Sequence, residues 1–256
     1  MLHIQDEGPV RRLTIDNPGR RNAVPSDAWD RLAELLEEFE DSGQRALIVT
    51  GAGDDFCSGA DLGGDLAAVA TAVDRLEGMR RVGRAAGALH RLSKPTVAAV
   101  DGVAVGAGMN LALGCDVVIA TDRARFSEIF VRRGLAVDFG GTWLLPRLVG
   151  LARAKEMALT GRIVSAPEAL GYGMISEVVS PPDLQHRAAE VAAALAGGAP
   201  LAQRFIKEGF DRALEMSFDE ALEFEERSQV ICLMSEDVVE GVAAFLQKRD
   251  PEFRGR

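Results

Sequence analysis

The chain alternates short apolar runs with longer amphipathic stretches, and the places where the period changes mark its elements. Val10–Ile15 reads as an early strand, closed by the turn signal Asn17-Pro18-Gly19. Pro25-Ser26-Asp27 then opens a helix, with Ser26 as N-cap, acids in the first turn, and Trp29, Leu32, Leu36 and Phe39 at helical spacing. Ser42-Gly43 ends it ahead of a second strand over residues 46–50. A long amphipathic segment over residues 66–92 carries Val69, Val73, Leu76, Met79, Val82, Ala86 and Leu89 on one face and arginines on the other, the pattern of an ordinary surface helix. Ser93-Lys94-Pro95 breaks it, and Thr96–Val100 begins the next strand.

Residues 100–120 carry the densest run of signals. An apolar run, the glycine-spaced turn Gly106-Ala107-Gly108, a short apolar segment 109–113, and Gly114 before another apolar run spell strand, turn, helix, C-cap, strand. At a helix start the backbone N–H groups lack intrahelical partners and sit at the positive end of the dipole, so the turn suits a carboxylate, a phosphate or a developing oxyanion. Close packing of helix on strand would call for the same glycines without any ligand. A second glycine turn, Gly51-Ala52-Gly53-Asp54-Asp55-Phe56-Cys57-Ser58-Gly59-Ala60-Asp61-Leu62, follows the strand over 46–50, and two such turns can aim two donors at one oxygen.

Strands alternating with helices, with more strands than a simple βαβ array needs, predict an α/β fold with mixed sheets. From Pro200 the pattern is helical only. Leu201, Phe205, Ile206, Phe210 and Leu214 form one stripe; Ser217-Phe218-Asp219-Glu220 is a capping box; Ser235-Glu236-Asp237 opens a last helix with Val238, Val242, Phe245 and Leu246. A tail this apolar needs something to cover it.

With 256 residues, 47% of them hydrophobic, the chain can bury a sizeable core as one or two domains. No run approaches the roughly 20 apolar residues of a membrane span, and the first residues do not read as a signal peptide, so the expected location is the cytoplasm. Cys57, Cys115 and Cys232 are odd in number, lack metal or redox spacing, and read as buried thiols in a reducing compartment. A net charge of −10 argues against nucleic acid or anionic membrane as partners. His3, His90 and His186 fall outside every motif, which leaves no Ser-His-Asp or metal reading, and no GK[ST] follows the glycines, which excludes a P-loop.

The two glycine turns, together with Asp138-Phe139-Gly140-Gly141-Thr142-Trp143-Leu144-Leu145-Pro146-Arg147 and the closing residues 245–253, resemble the crotonase, or enoyl-CoA hydratase/isomerase, family through almost the whole chain. The resemblance implies a superhelix of ββα units over residues 1–199. It also implies a helical region over 200–256 that builds trimers, often paired into hexamers. It implies an acyl-CoA thioester as substrate, with coenzyme A part of the substrate and no further cofactor. The thioester oxyanion would be held by the backbone N–H groups matching Ala60 and Ala107, with Gly106 in the same turn. The coenzyme A end would meet Arg20, Arg21, Ala23, Asp61 and Leu62; on charge alone the two arginines are as readily a solvated pair. Lys248 and Phe253 carry over from the tail, whose closing residues can touch a neighbouring subunit's ligand.

The acid/base groups depart from the hydratases. Their two carboxylates match Asn110 and Phe130, neither of which transfers a proton. Glu128 lies two residues before Phe130, about 200° away on a helix, and reads as a helix N-terminal acid facing elsewhere. Asp138 remains. Ahead of a helix over 142–145 it is equally a cap or dipole partner, but the pattern around it resembles the ring-modifying isomerases of phenylacetate degradation, in which an Asp at the matching position is the acid/base. The same position carries a nucleophilic Asp in 4-chlorobenzoyl-CoA dehalogenase. Burial near Phe130, Val137 and Phe139 would raise the pKa of Asp138. Trp143 and Phe56 are expected in the core. An enoyl-CoA isomerase, a hydratase with a displaced acid, and a non-catalytic acyl-CoA binder all remain open on the sequence.

Overall fold

The computed structural model describes residues 1–65 and 71–256. Five parallel strands, the middle three of which are near-continuous apolar runs, and one antiparallel edge strand form the main sheet. β1 (Leu2–Glu7) pairs antiparallel with β2 (Val10–Ile15), and β3 (Ala46–Gly51), β4 (Thr96–Val100), β6 (Val117–Thr121) and β9 (Glu177–Val179) follow in parallel, in the order β1-β2-β3-β4-β6-β9. A smaller sheet joins β5 (Val103–Val105), β7 (Arg125–Ser127) and β8 (Val164–Ser165). Parallel strands bury both faces and so lose the alternation that marks a half-exposed strand. All of β4 is buried. One face meets α1 (Ala28–Glu40) and the second half of α3 (Ala72–His90); the other is covered by α8 (Leu184–Ala196) through Ala188, Ala192 and Ala196. Between them lie α2 (Leu62–Asp65), α4 (Ala107–Leu113), α5 (Gly141–Val149), α6 (Leu151–Thr160) and α7 (Ala166–Gly171). A 3₁₀ turn, Ile129–Arg133, follows β7.

Three local expectations change. The helix α1 is not capped by Ser26: its N-cap is Asp27, in helical geometry and without a side-chain cap bond. Residues 2–7, to which the sequence pattern assigns no element, make β1, which pairs with the edge of β2 while Leu2 and Ile4 pack on the core. Among the described residues of the long amphipathic segment only Val82, Ala85, Ala88, Leu89 and Leu92 are buried, whereas Val73, Leu76 and Met79 are exposed. α3 has 19 residues against 13 in α1, so at 1.5 Å per residue roughly 9 Å of it extends past its cover. Leu66 and Val69 lie outside the described residues.

The tail forms α9 (Pro200–Arg212), α10 (Phe218–Leu233) and α11 (Glu236–Gln247). The Ser217–Glu220 capping box and the Ser235 N-cap both form. Their apolar stripes stay largely uncovered within the chain: Phe210 is 78%, Phe245 82% and Met234 84% exposed. Cys57 and Cys115 are buried thiols, but Cys232, on this tail, is only half-buried.

Candidate active site

The two glycine turns meet backbone to backbone. Phe56 and Cys57 N–H both donate to the Val103 carbonyl, and Val105 N–H donates back to Cys57 at 3.1 Å. At Gly108 a Cβ would stand 2.3 Å from the Cys57 carbonyl oxygen, so only glycine permits this approach. Gly106, the N-cap of α4, has φ +57° and ψ −132°, a backbone state that side chains strongly disfavour. Close packing and a helix start with an unpaired N–H, alternatives on the sequence, are both present: Gly108 serves the first and Gly106 the second, although the start itself is buried.

The turns leave two donors free. Ala107 is the first residue of α4, so its N–H has no intrahelical acceptor. Ala60 forms a parallel bridge with Val24 in which Val24 N–H donates to Gly59 O and Asp61 N–H donates to Val24 O. That pattern turns the Ala60 N–H away from Val24. Among the described residues neither N–H donates a backbone hydrogen bond. A Cβ built on Gly59 would lie 3.5 Å from the Ala107 nitrogen, so the two turns bring Ala60 and Ala107 together.

Arg20, Arg21 and Ala23 reach the same place through a strained loop. Arg21 and Asn22 have φ of +48° and +56°, and buried Asn22 holds the loop by donating to the Ala52 and Asp55 carbonyls. Ser58 bonds the carbonyls of Arg20 and Arg21, fastening the loop to the segment that carries Ala60, Asp61 and Leu62. Ala23 is buried, the two arginine side chains are mostly exposed, and Arg20 reaches Asp61 only at 4.0 Å. Cationic ends therefore stand in solvent beside the glycine turns. Asn22 carried no signal of its own in the sequence. Lys248 and Phe253 lie elsewhere in this chain: Lys248 ends α11, and Phe253 stands over Gly241 while its carbonyl accepts from Arg45.

Asp138 does not cap α5. The N-cap is Gly140, in the left-handed region, and the Asp138 backbone carbonyl accepts from Gly141 N–H and from Asn110 Nδ2, each at 3.0 Å. Its side-chain Oδ1 is buried without a hydrogen-bond partner, and burial pushes its pKa up to about 6. The following Phe139 has φ +50° and is anchored against Trp29, with ring centroids 5.5 Å apart. A strained residue pinned in the core thus fixes the turn from which Asp138 projects. Phe130 is buried, its Cζ 3.6 Å from where a Gly106 Cβ would be.

Glu128 is the main correction. It does not face away: its side chain is fully buried, Oε2 lies 3.4 Å from Asn110 Nδ2, and it makes no cap bond. A separation of about 200° from Phe130 holds only within an α-helix, whereas Glu128 lies outside any helix, ahead of a 3₁₀ turn, with φ −79° and ψ 66°. Burial first, with Asp138's charge adding to it, raises its pKa to about 8, against a lowering by the Asn110 hydrogen bond. Of the two aromatic residues expected in the core, Phe56 is fully buried, but Trp143 is half-exposed, with Arg147 stacked 3.7 Å over its ring.

Two neighbouring turns with unpaired backbone N–H groups, and a partly buried carboxyl whose Oδ1 has no partner, are the kind of groups an acyl-transfer or enolate site would use, on an α/β fold. The enoyl-CoA hydratase/isomerase family profile matches residues 5–256, and the chain belongs to that family. It is 40% identical to 1,2-epoxyphenylacetyl-CoA isomerase of Escherichia coli, over 98% of this chain and 97% of that one. It is 36% identical to short-chain-enoyl-CoA hydratase of Clostridium acetobutylicum, over 99% and 97%. Enoyl-CoA hydratase of Bacillus anthracis superposes with a TM-score of 0.94 at 29% identity, covering 100% of this chain and 99% of that structure.

Proposed function

We propose that this enzyme is an isomerase of enoyl-CoA or epoxidised arylacetyl-CoA thioesters, with Asp138 as its acid/base. The observation that carries the reading is the Asp138 carboxyl, partly buried, with Oδ1 buried and without a partner, and released from capping α5. The thioester oxygen accepts from the N–H groups of Ala60 and Ala107. The Asp138 carboxylate takes a proton from the carbon beside the carbonyl, the C–H electron pair moves into the enolate, and the same proton returns at another carbon. One base suffices for this, and Asn110 and Phe130 stand where the hydratases carry their carboxylates. Coenzyme A belongs to the substrate, no further cofactor takes part, and Arg20 and Arg21 face its phosphates. The 40% identity to an isomerase of that class supports the choice.

The test is deuterium exchange into 3-enoyl- and arylacetyl-CoA thioesters in heavy water. Wild type exchanges or moves the double bond; Asp138→Asn binds the thioester and does neither. Equal exchange by both proteins would refute the role of Asp138, and binding without exchange by either would leave a binding protein. Hydration is a second reading, favoured by the burial of Glu128 within reach of Asn110; hydration of crotonyl-CoA that is lost in Glu128→Gln and kept in Asp138→Asn would establish it.

The same proposal includes a trimer or hexamer in the cytoplasm. The exposed stripes on α9, α10 and α11, with Phe210, Met234 and Phe245, support a self-assembled cover for residues 200–256, and light scattering of the purified chain tests it.

A further inference from the structure

Three acceptors lie together with no donor among the described residues to meet them: Asn110 Oδ1, Glu128 Oε1 and Asp138 Oδ1 are all buried and unpartnered. The one amide between them is already committed. Asn110 Nδ2 donates to the Asp138 backbone carbonyl at 3.0 Å and, at 3.4 Å, to Glu128 Oε2. Neither carboxyl has a salt bridge among the described residues. Two neighbouring carboxylates, one fully and one partly buried, with no cation and one shared amide would be a costly arrangement, whereas a proton on one of them removes a charge and creates a donor.

Among the described residues no cation on the surrounding elements pairs with either acid; α6, packed on the 3₁₀ turn, brings exposed Arg153, which lies over the Tyr172 ring, and exposed Lys155. α4 brings Asn110 and no charged residue. β7 brings Arg125, whose guanidinium bonds the carbonyls of Asp122 and Ala124. The 3₁₀ turn brings exposed Arg132, bonded to the Thr160 carbonyl, and exposed Arg133, bonded to the Arg132 carbonyl. α5 brings Arg147, taken up by Trp143 and Glu215. Between the two acids the deeper one is Glu128, at 0% exposure; Asp138 is only partly buried.

We propose that Glu128 is a positioning residue, held as the neutral acid behind Asn110, so that Glu128 and Asp138 together carry one proton and a single negative charge that resides on Asp138. The proposal deepens the acid/base reading of Asp138 and rests on it for its catalytic consequence. A neutral Glu128 keeps a second negative charge away from the carboxylate base and from the enolate. Ionisation of Glu128 puts a like charge beside both and stops turnover. The direction in which burial moves each group agrees: Asp138 ionises near 6 and Glu128 stays protonated to about 8.

The test reads Glu128 directly in the free enzyme. Infrared difference spectra across the pH range assign a protonated carboxyl by its loss in Glu128→Gln. The expected result is that Glu128 is protonated at pH 7 and ionises near pH 8, and that its midpoint moves to lower pH in Asp138→Asn, where the neighbouring charge is gone. A Glu128 already ionised at pH 7, or a midpoint that Asp138→Asn does not move, overturns the proposal. A pH–rate profile of proton exchange into a 3-enoyl-CoA supplies the kinetic arm: wild type falls at both ends, and Glu128→Gln loses the alkaline fall while keeping the acid one. An alkaline fall retained in Glu128→Gln also overturns it. Exchange that persists in Asp138→Asn sinks the function assigned to Asp138 instead, while the infrared midpoints still decide the pairing of the two carboxyls.

Discussion

Replacing Ala107 by proline isolates the contribution of one backbone donor. Ala107 is the first residue of α4, the position at which proline is best tolerated in a helix, because its N–H has no intrahelical acceptor and its fixed φ suits the turn. No helix bond is therefore lost, and the preceding Gly106, at ψ −132°, is outside the α region that a following proline disfavours. What disappears is the N–H that the proposed function assigns to the thioester oxygen. Loss of one such donor costs about 2.7–4 kcal/mol of transition-state stabilisation, a fall of roughly 10²–10³ in turnover. The proline ring adds bulk near Gly59, whose built Cβ would stand 3.5 Å from this nitrogen, so the loss is at least that large. The assay is steady-state isomerisation alongside thermal unfolding. The expected outcome is a fall in kcat of at least roughly 100-fold with a melting temperature within a few degrees of wild type. Turnover within a factor of about three of wild type, in a protein of unchanged stability, would refute the assignment of this N–H to the oxyanion, since a used donor is worth far more.

Gly108→Ala should be costly in stability, because its Cβ would lie 2.3 Å from the Cys57 oxygen, about 1 Å inside ordinary contact; overpacking of about 1–3 kcal/mol is expected by denaturant titration. For Glu128→Gln, the melting-temperature difference from wild type should grow in the mutant's favour as pH rises. A carboxyl whose folded pKa is raised from 4.5 to about 8 favours the fold at low pH and loses that contribution between those values; calorimetry across that window, with no further change above it, checks the sign. Of the three thiols, Cys232 should react first with an alkylating reagent at pH 8, because burial pushes Cys57 and Cys115 up to about 12 and peptide mapping should find both unmodified in the native chain.

Much of the architecture was legible in the sequence because it depends on short-range chemistry. β2, β4, the succession of glycine turn, α4 and β6, and the caps at Ser217 and Ser235 follow from period, glycine and hydroxyl-acid spacing. The unpaired N–H of Ala107 was also legible, since an orphan donor at a helix start is a property of the backbone, whereas that of Ala60 comes from its bridge with Val24 and is reached in the sequence only through the family resemblance. Glycine spacing alone did not say whether Gly106-Ala107-Gly108 served packing or exposure; the approach of Cys57 shows that each glycine has its own task.

What only the tertiary structure decided are matters of long-range contact. β1 exists because β2 presents an edge, and half of the α3 stripe is bare because α1 is shorter than α3. The choice between a capping and an unpaired Asp138 depended on left-handed Phe139 and Gly140, which move the helix start past it. Glu128 was the least legible residue. Its direction follows from a 3₁₀ turn, and its surroundings come from Asn110 on α4 and Asp138 before α5, 18 and 28 residues apart in the hydrogen-bond pairs that join them. Sequence period reports which face of an element is apolar; it does not report which polar groups from separate elements share one buried space, and that sharing is what sets a carboxyl's proton affinity.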